Sequence, residues 1–242
     1  MPLRILQFSY LAMMNIDDKL RRDIIQWDVK NWGKALQYWE TRVDWSKVEN
    51  CLEIGGREGG LSLWLALKGK KVICSDREKT KETAEKLHTQ YKVTDRITYQ
   101  DIDATNIPYE GFFDLIVFKS IVGGIGRGYN KEIQAEVFRQ AYKALKPGGV
   151  LLFAENLKAS AFHRFFRKRF TKWSVYWRYP TLDEMNEFLK DFSSTELHTA
   201  GILGTFGRSE SQKDLLAGID NALLDSLTPE SWKYFVIGVA KK

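Results

Sequence analysis

The chain has 242 residues, 44% of them hydrophobic, and a formal net charge of +6 at pH 7. That length buries one sizeable core, or one core with a small cap, and argues against a disordered chain or a small disulfide-framed fold. The moderate positive charge permits contact with phosphates or anionic lipid and demands neither. The opening "MPLRILQFSYLAMM" has one basic residue and a short apolar stretch broken by Gln7 and Ser9, a poor signal peptide that is too short to span a bilayer. Cys51 and Cys74 lie inside apolar runs, which favours buried, reduced thiols and a cytoplasmic setting.

In "DIIQWDVKNWGKALQYWETRV", Ile25, Val29, Trp32, Leu36, Trp39 and Val43 recur at alternating spacings of four and three, which predicts one amphipathic helix. Trp27 and Tyr38 lie off that face and are candidates for capping a pocket. From about residue 49 the pattern changes to apolar runs that read as buried parallel strands: "NCLEIG", "KKVICSD", "RITYQDI", "FFDLIVFKS" and "GGVLLFAEN", with helical segments between them. Such alternation predicts an open parallel sheet with helices on both faces and ligands at the carboxyl ends of the strands. Further on, "STELHTAGILG" and "YFVIGVAKK" read as two final strands separated by the helical "SQKDLLAGIDNALLDSL". The expected organisation is an N-terminal helical cap over residues 1–46 packed on a domain over 47–242, with a substrate-side insertion at about 157–182.

The first strand runs into "CLEIGGREGG", where an acid precedes two glycine pairs. A dinucleotide fingerprint requires G-x-G-x-x-G, and it fails in both registers because Arg57 or Glu58 stands at the second glycine. "LEIGGREG" instead resembles motif I of the class I S-adenosylmethionine-dependent methyltransferases, with Glu53, Gly55 and Gly59 matching and Arg57 replacing the usual middle glycine. Asp76 in "VICSDRE" follows at the end of the second strand. "DIDATNIP" then resembles the family's D-A-x-x-[LI]-P stretch, with Asp103 at its acid and Asp101 as a neighbouring rival. "ALKPGGVLLFAEN" resembles the proline-glycine turn and fifth strand of the same enzymes. Taken singly, an acid at a strand end is most often a helix cap; it is the shared order that supports ligand binding.

The resemblance implies a Rossmann-like, seven-stranded, mostly parallel sheet whose last strand is antiparallel, and S-adenosylmethionine as cofactor. It implies that Glu53 faces the methionine amino group, loop N–H groups approach the carboxylate, Asp76 takes the ribose, Asp103 the adenine amino group, and Arg77 the face of the base. Gly56, Ala104 and Lys119 complete the candidate cofactor contacts. Metal ligation is not expected, because His88, His163 and His198 are scattered.

A hydroxyl acceptor would benefit from a general base. His163, shortly after the fifth strand, ranks ahead of Glu155, which ends that strand; each also has a packing role as its plain alternative. "KSIVGGIGRGYN" reads as a glycine-rich loop near the transferring methyl, and Arg127 within it suits an anionic acceptor. In "FHRFFRKRFTKWSVYWRYP", residues 162–180, Arg164, Arg167, Lys168, Arg169, Lys172 and Arg178 interleave with aromatic residues that include Phe162, Phe165, Phe166, Phe170, Trp173, Tyr176, Trp177 and Tyr179. The segment is either a packed helix with a solvated basic face or a peripheral contact with the inner face of the membrane, ahead of RNA. The reading as a whole is methyl transfer to a small-molecule or glycan-like acceptor, most simply at oxygen. A lipid-linked intermediate or RNA is the alternative acceptor, and a noncatalytic scaffold or an NAD-dependent oxidoreductase the alternative class.

Overall fold

The computed structural model of the chain describes residues 16–170 and 176–242. The expectation placed on the opening "MPLRILQFSYLAMM" lies outside them.

Seven strands form one sheet: β1 (Asn50–Ile54), β2 (Lys71–Asp76), β3 (Ile97–Asp101), β4 (Phe113–Lys119), β5 (Leu145–Asn156), β6 (Ser194–Ala200) and β7 (Phe235–Lys241). Their order across the sheet is β3-β2-β1-β4-β5-β7-β6. The first five are mutually parallel, and β7 inserts antiparallel between β5 and β6. The order reverses at β1 and β4, so the chain leaves these neighbours in opposite directions and opens a crevice at their carboxyl ends.

Alternation along the central strands feeds two cores, one on each face. Cys51, Leu115, Val117, Leu152 and Ile237 enter the first, with Trp32, Trp39 and Trp64. Leu52, Ile54, Ile116, Phe118, Leu151 and Phe153 enter the second, with Phe138, Met185 and Phe188. Gly238 of β7 lies opposite Phe153 of β5, and a Cβ there would lie 2.1 Å from the Phe153 ring.

All six residues of the N-terminal stripe are buried, but one helix does not carry them. The chain forms α1 (Asp18–Ile25), α2 (Val29–Trp32) and α3 (Lys34–Glu40). The break falls at Gln26 and Asp28, which take positive φ of 73° and 45°. The Glu210 carboxylate accepts the Asp28 and Val29 N–H groups at 3.1 and 3.3 Å, capping α2 from a distant segment. A helical period in sequence thus survives as burial although the axis turns twice. α4 (Gly60–Leu67), α5 (Thr80–Gln90) and α7 (Lys131–Ala144) connect the parallel strands. The expected glycine-rich loop after β4 is partly helical, forming α6 (Val122–Ile125) and a 3-10 turn over Arg127–Tyr129.

Beyond β5 come α8 (Ala161–Phe170) and α9 (Leu182–Phe188), then α10 (Glu210–Ile219) after β6. Among the described residues no helix is long and apolar enough to cross a membrane.

Gly238→Ala is expected to lower stability by about 1–3 kcal/mol through overpacking against Phe153. A urea midpoint equal to that of the wild type would contradict this packing.

Candidate active site

The turn after β1 is held by close contacts on all sides. Glu53 is buried, and its carboxylate accepts N–H groups of Leu61 (3.1 Å) and Ser62 (2.8 Å) in the first turn of α4. Burial pushes the Glu53 carboxyl up to about 7, against the pull of those hydrogen bonds. Gly55 and Gly59 take φ of 65° and 72°, and Arg57, at the missing glycine, takes 48°. Arginine therefore adopts the left-handed conformation that glycine would supply at less cost. A Cβ on Gly59 would meet the His88 ring at 2.5 Å, and one on Gly60 the Ile24 carbonyl oxygen at 2.2 Å. His88 Nε2 lies 2.9 Å from the Gly59 carbonyl and Nδ1 2.9 Å from Tyr99 Oη. The carbonyl accepts only, so Nε2 donates and Nδ1 accepts the tyrosine proton. His88, which reads in sequence as an outer-helix residue, is buried and braces the turn.

The acids after β2 and β3 reach the same crevice. Asp76 accepts the N–H groups of Arg57 (2.8 Å) and Arg77 (2.6 Å), tying the turn to the end of β2. Asp103 accepts from the Thr105 N–H and hydroxyl at 2.8 and 2.7 Å, which hold its carboxyl below the usual range. Its rival Asp101 instead caps α5 through the Thr80 and Lys79 N–H groups. Asp76, Arg77, Asp103 and Ala104 all line one cavity with Glu53, Gly55 and Gly56. The expectation that loop N–H groups receive the methionine carboxylate is not met at three positions: Gly56 N–H donates to Ser75, Arg57 N–H to Asp76 and Gly59 N–H to Gly56.

The cavity measures about 1150 Å³ and runs past the turn to the ends of β4 and β5. Trp27, Asp28 and Trp32 cover it from the N-terminal segment; Lys119, Asn156, Trp177 and Tyr234 form its far wall, with Arg127 and Lys213 also lining it. Tyr38 is elsewhere, stacked on His198 and beneath the Arg42 guanidinium. Asp28 is buried and accepts from the Tyr234 hydroxyl, and burial pushes its carboxyl up to about 6. Asn31 Nδ2 donates to the same hydroxyl at 3.0 Å. Asp28 and Tyr234 escaped the sequence reading, one as a polar interruption of an apolar stripe and the other at the entry to a buried strand. Neither residue carries a local sequence signal that marks it.

The two candidate bases are not brought to this cavity. His163 is buried beside Phe206 and Tyr234, with Nδ1 2.7 Å from Ser160 Oγ and Nε2 2.7 Å from the Ile202 carbonyl. Both ring nitrogens thus have protein partners, and burial lowers its pKa. Glu155 accepts the Ile121 and Val122 N–H groups, both at 2.8 Å, and its other oxygen accepts Asn156 N–H at 2.8 Å. It fixes the chain as β4 turns into α6, while burial pushes its carboxyl up to about 7.

The basic-aromatic segment divides. Arg167 turns inward, donating to the Leu157 carbonyl at 2.7 Å with its guanidinium 4.0 Å from the Tyr179 ring. Arg178 pairs with Glu184 and Gln134, and Trp177 packs over Gly123. Phe162, Arg164, Phe165, Lys168, Arg169 and Tyr176 are exposed. Lys172 and Trp173 lie outside the described residues, as does the side chain of Phe170.

A family model described as a methyltransferase domain matches residues 52–153. No curated protein matches the chain. Among solved structures, Haemonchus contortus phosphoethanolamine N-methyltransferase 2, bound to phosphomonomethylethanolamine and S-adenosylhomocysteine, is 18% identical with a TM-score of 0.60 over 87% of this chain. The chain spans about half, 52%, of that enzyme's length. A Bacillus halodurans C-125 protein assigned to the methyltransferases is 16% identical, with a TM-score of 0.57 over 87% of this chain and 97% of its own. The [4+2]-cyclase SpnF is also 16% identical, with a TM-score of 0.53 over 81% of this chain and 74% of its own. At these identities the solved structures establish the fold alone. The family match is thus to residues 52–153, which resemble a methyltransferase domain and hold the turn, Asp76 and Asp103.

Proposed function

We propose that the chain transfers the methyl group of S-adenosylmethionine to oxygen on a small-molecule or glycan-like acceptor that carries an anionic group. The observation that carries this reading is the single cavity of about 1150 Å³, which joins the turn and its acids to a second arm under Trp27, Trp177 and Tyr234. Pockets for one drug-sized ligand run to about 1,000 Å³, so this one has room for donor and acceptor together.

The residues present fit the donor. Asp76 and Asp103 offer acceptors for the ribose and the adenine amino group, and Glu53 Oε1, with one hydrogen bond made, retains a lone pair for an amino group. Lys119 Nζ and Asp28 Oδ1 are buried in the same cavity with no hydrogen-bond partner among the described residues, which leaves both atoms open to ligands. When bound, S-adenosylmethionine supplies an electrophilic methyl group on a sulfonium. The chain's own task is then alignment and exclusion of water, for which Trp27 and Trp32 form a roof.

Arg127 and Lys213 support an anionic acceptor, and the Haemonchus enzyme is a fold neighbour crystallised with a phosphate-bearing one. The exposed Phe162, Phe165, Lys168 and Arg169 on α8 support a peripheral contact with anionic lipid, as a lipid-linked acceptor would require. RNA has less support, since no recognised RNA module accompanies the basic segment. SpnF, named for a cyclisation on the same fold, keeps a different reaction as the competing reading.

S-adenosylhomocysteine at about 100 times its Kd is expected to stabilise the protein by about 2.7 kcal/mol, and NAD is not. Stabilisation by NAD alone would overturn the donor assignment, and wild-type affinity in Asp76→Ala would remove the ribose contact. Screening anionic hydroxyl compounds for S-adenosylhomocysteine release tests the acceptor: Arg127→Ala should lower kcat/KM about tenfold with donor affinity unchanged. Sedimentation with anionic but not neutral vesicles, lost in K168E/R169E, is the expected outcome for lipid contact; no sedimentation in either case would argue for a soluble acceptor.

A further inference from the structure

Lys119 is the cavity residue whose surroundings are least like those of an ordinary lysine. It ends β4, whose alternation sends Leu115 and Val117 into the core beneath the N-terminal helices and Ile116 and Phe118 into the opposite one. The same alternation carries Lys119 to the first face, where it is buried. The Trp27 ring centre lies 3.0 Å from Nζ and that of Trp32 5.3 Å. Pairing of Phe118 with Ile54 sets Lys119 level with Gly55 in the turn, and its own pairing with Ala154 sets it near Asn156 at the end of β5. It stands where the donor arm of the cavity meets the acceptor arm.

We infer that Lys119 is the proton acceptor of the reaction, its amine taking the hydroxyl proton as the acceptor oxygen is methylated; the inference rests on the donor reading above. In this step the oxygen lone pair forms the new O–C bond, the C–S bond breaks with its electron pair left on sulfur, and the proton passes to Nζ. The donor's ammonium and carboxylate cancel and are unchanged by the step; the one remaining positive charge lies on the sulfonium before it and on the Lys119 ammonium after it. The sulfonium and a charged Lys119 are therefore never present together, an arrangement in which they would repel strongly.

Desolvation holds the Lys119 pKa well below that of an ordinary lysine, as a base near neutral pH requires. Glu53 from β1, Glu155 from β5 and Asp28 from the N-terminal segment favour the ammonium, and Arg57 from the turn favours the amine. Burial pushes Glu53 and Glu155 up to about 7 and Asp28 to about 6, so protonation weakens their opposition as pH falls. The Trp27 face stabilises the ammonium once the proton has arrived. His163 and Glu155, by contrast, have their basic atoms engaged by the protein outside the cavity.

A binding measurement tests this without an acceptor. S-adenosylmethionine and S-adenosylhomocysteine share every group except the charged sulfonium, so the ratio of their affinities reports the charge already in the cavity. Calorimetric titration would compare wild type, K119M and K119R between about pH 6 and pH 9; the arginine is always charged and the methionine never is. The wild-type ratio is expected to match K119M at the upper end and to shift at least about tenfold against S-adenosylmethionine, toward K119R, as pH falls. Glu53, Glu155 and Asp28 are common to all three proteins. A wild-type ratio that follows K119R at every pH, or that never departs from K119M, overturns the proposal. So does an equal loss of both ligands in K119M, which would assign Lys119 to their shared carboxylate. Should K119R fail to fold, wild type against K119M decides by the same pH dependence. Failure of the wild type to bind either ligand would instead overturn the donor reading. On any hydroxyl acceptor found by screening, K119M should lose at least about 100-fold in kcat with its S-adenosylhomocysteine affinity retained; wild-type kcat in K119M overturns the assignment.

Discussion

The contact on which the site depends is the one between Gly60 and the Ile24 carbonyl, where a side chain of any size would meet backbone at 2.2 Å. Glycine at the head of α4 lets α1 end directly against the turn. Because α1 ends there, the chain must reverse at Gln26 and Asp28, and the reversal places Trp27 over Lys119 and turns Asp28 toward Tyr234. The N-terminal helices are thus a roof whose position is set by the same turn that faces the ligand. A ligand in the cavity and the packing of the first helix are coupled through a few atoms.

The charged groups that act on Lys119 are placed against the grain of burial. Glu53, Asp28 and Glu155 are all pushed upward by desolvation while Lys119 is pushed downward. Three of these four have hydrogen-bonding partners that fix them: Glu53 caps α4, Glu155 caps the turn into α6, and Asp28 accepts from Tyr234. Lys119 alone of the four has none among the described residues. Buried donors without partners are rare because each forfeits its hydration. At the meeting of two ligand arms, the missing partner is most simply the ligand itself.

Much of the fold was legible because it rests on period and order. The five apolar runs with helical spacers specify a parallel sheet, and the turn, Asp76 and Asp103 follow in the order that brings them to one edge. Burial of Ile25, Val29, Trp32, Leu36, Trp39 and Val43 was equally legible, yet the helix break was not, because its cap comes from Glu210, far away in sequence. His163 looked catalytic from its place after β5, but only the structure shows Ser160 and the Ile202 carbonyl holding its ring. Arg167 looked like part of a basic face for the same reason, since nothing local announces that the Leu157 carbonyl and the Tyr179 ring turn it inward. Local periodicity reveals which residues are buried. Which polar atoms meet across the fold depends on contacts between segments that sequence spacing does not encode.

The turn and the N-terminal roof together enclose one ligand site. Amide hydrogen exchange with and without S-adenosylhomocysteine addresses it directly, since opening of the roof and of the turn are read in separate peptides. Slower exchange on ligand addition is expected in peptides covering 24–33 as well as in those covering 53–62, with no change across 161–170. Protection confined to 53–62, with the 24–33 peptides unaffected, would contradict it.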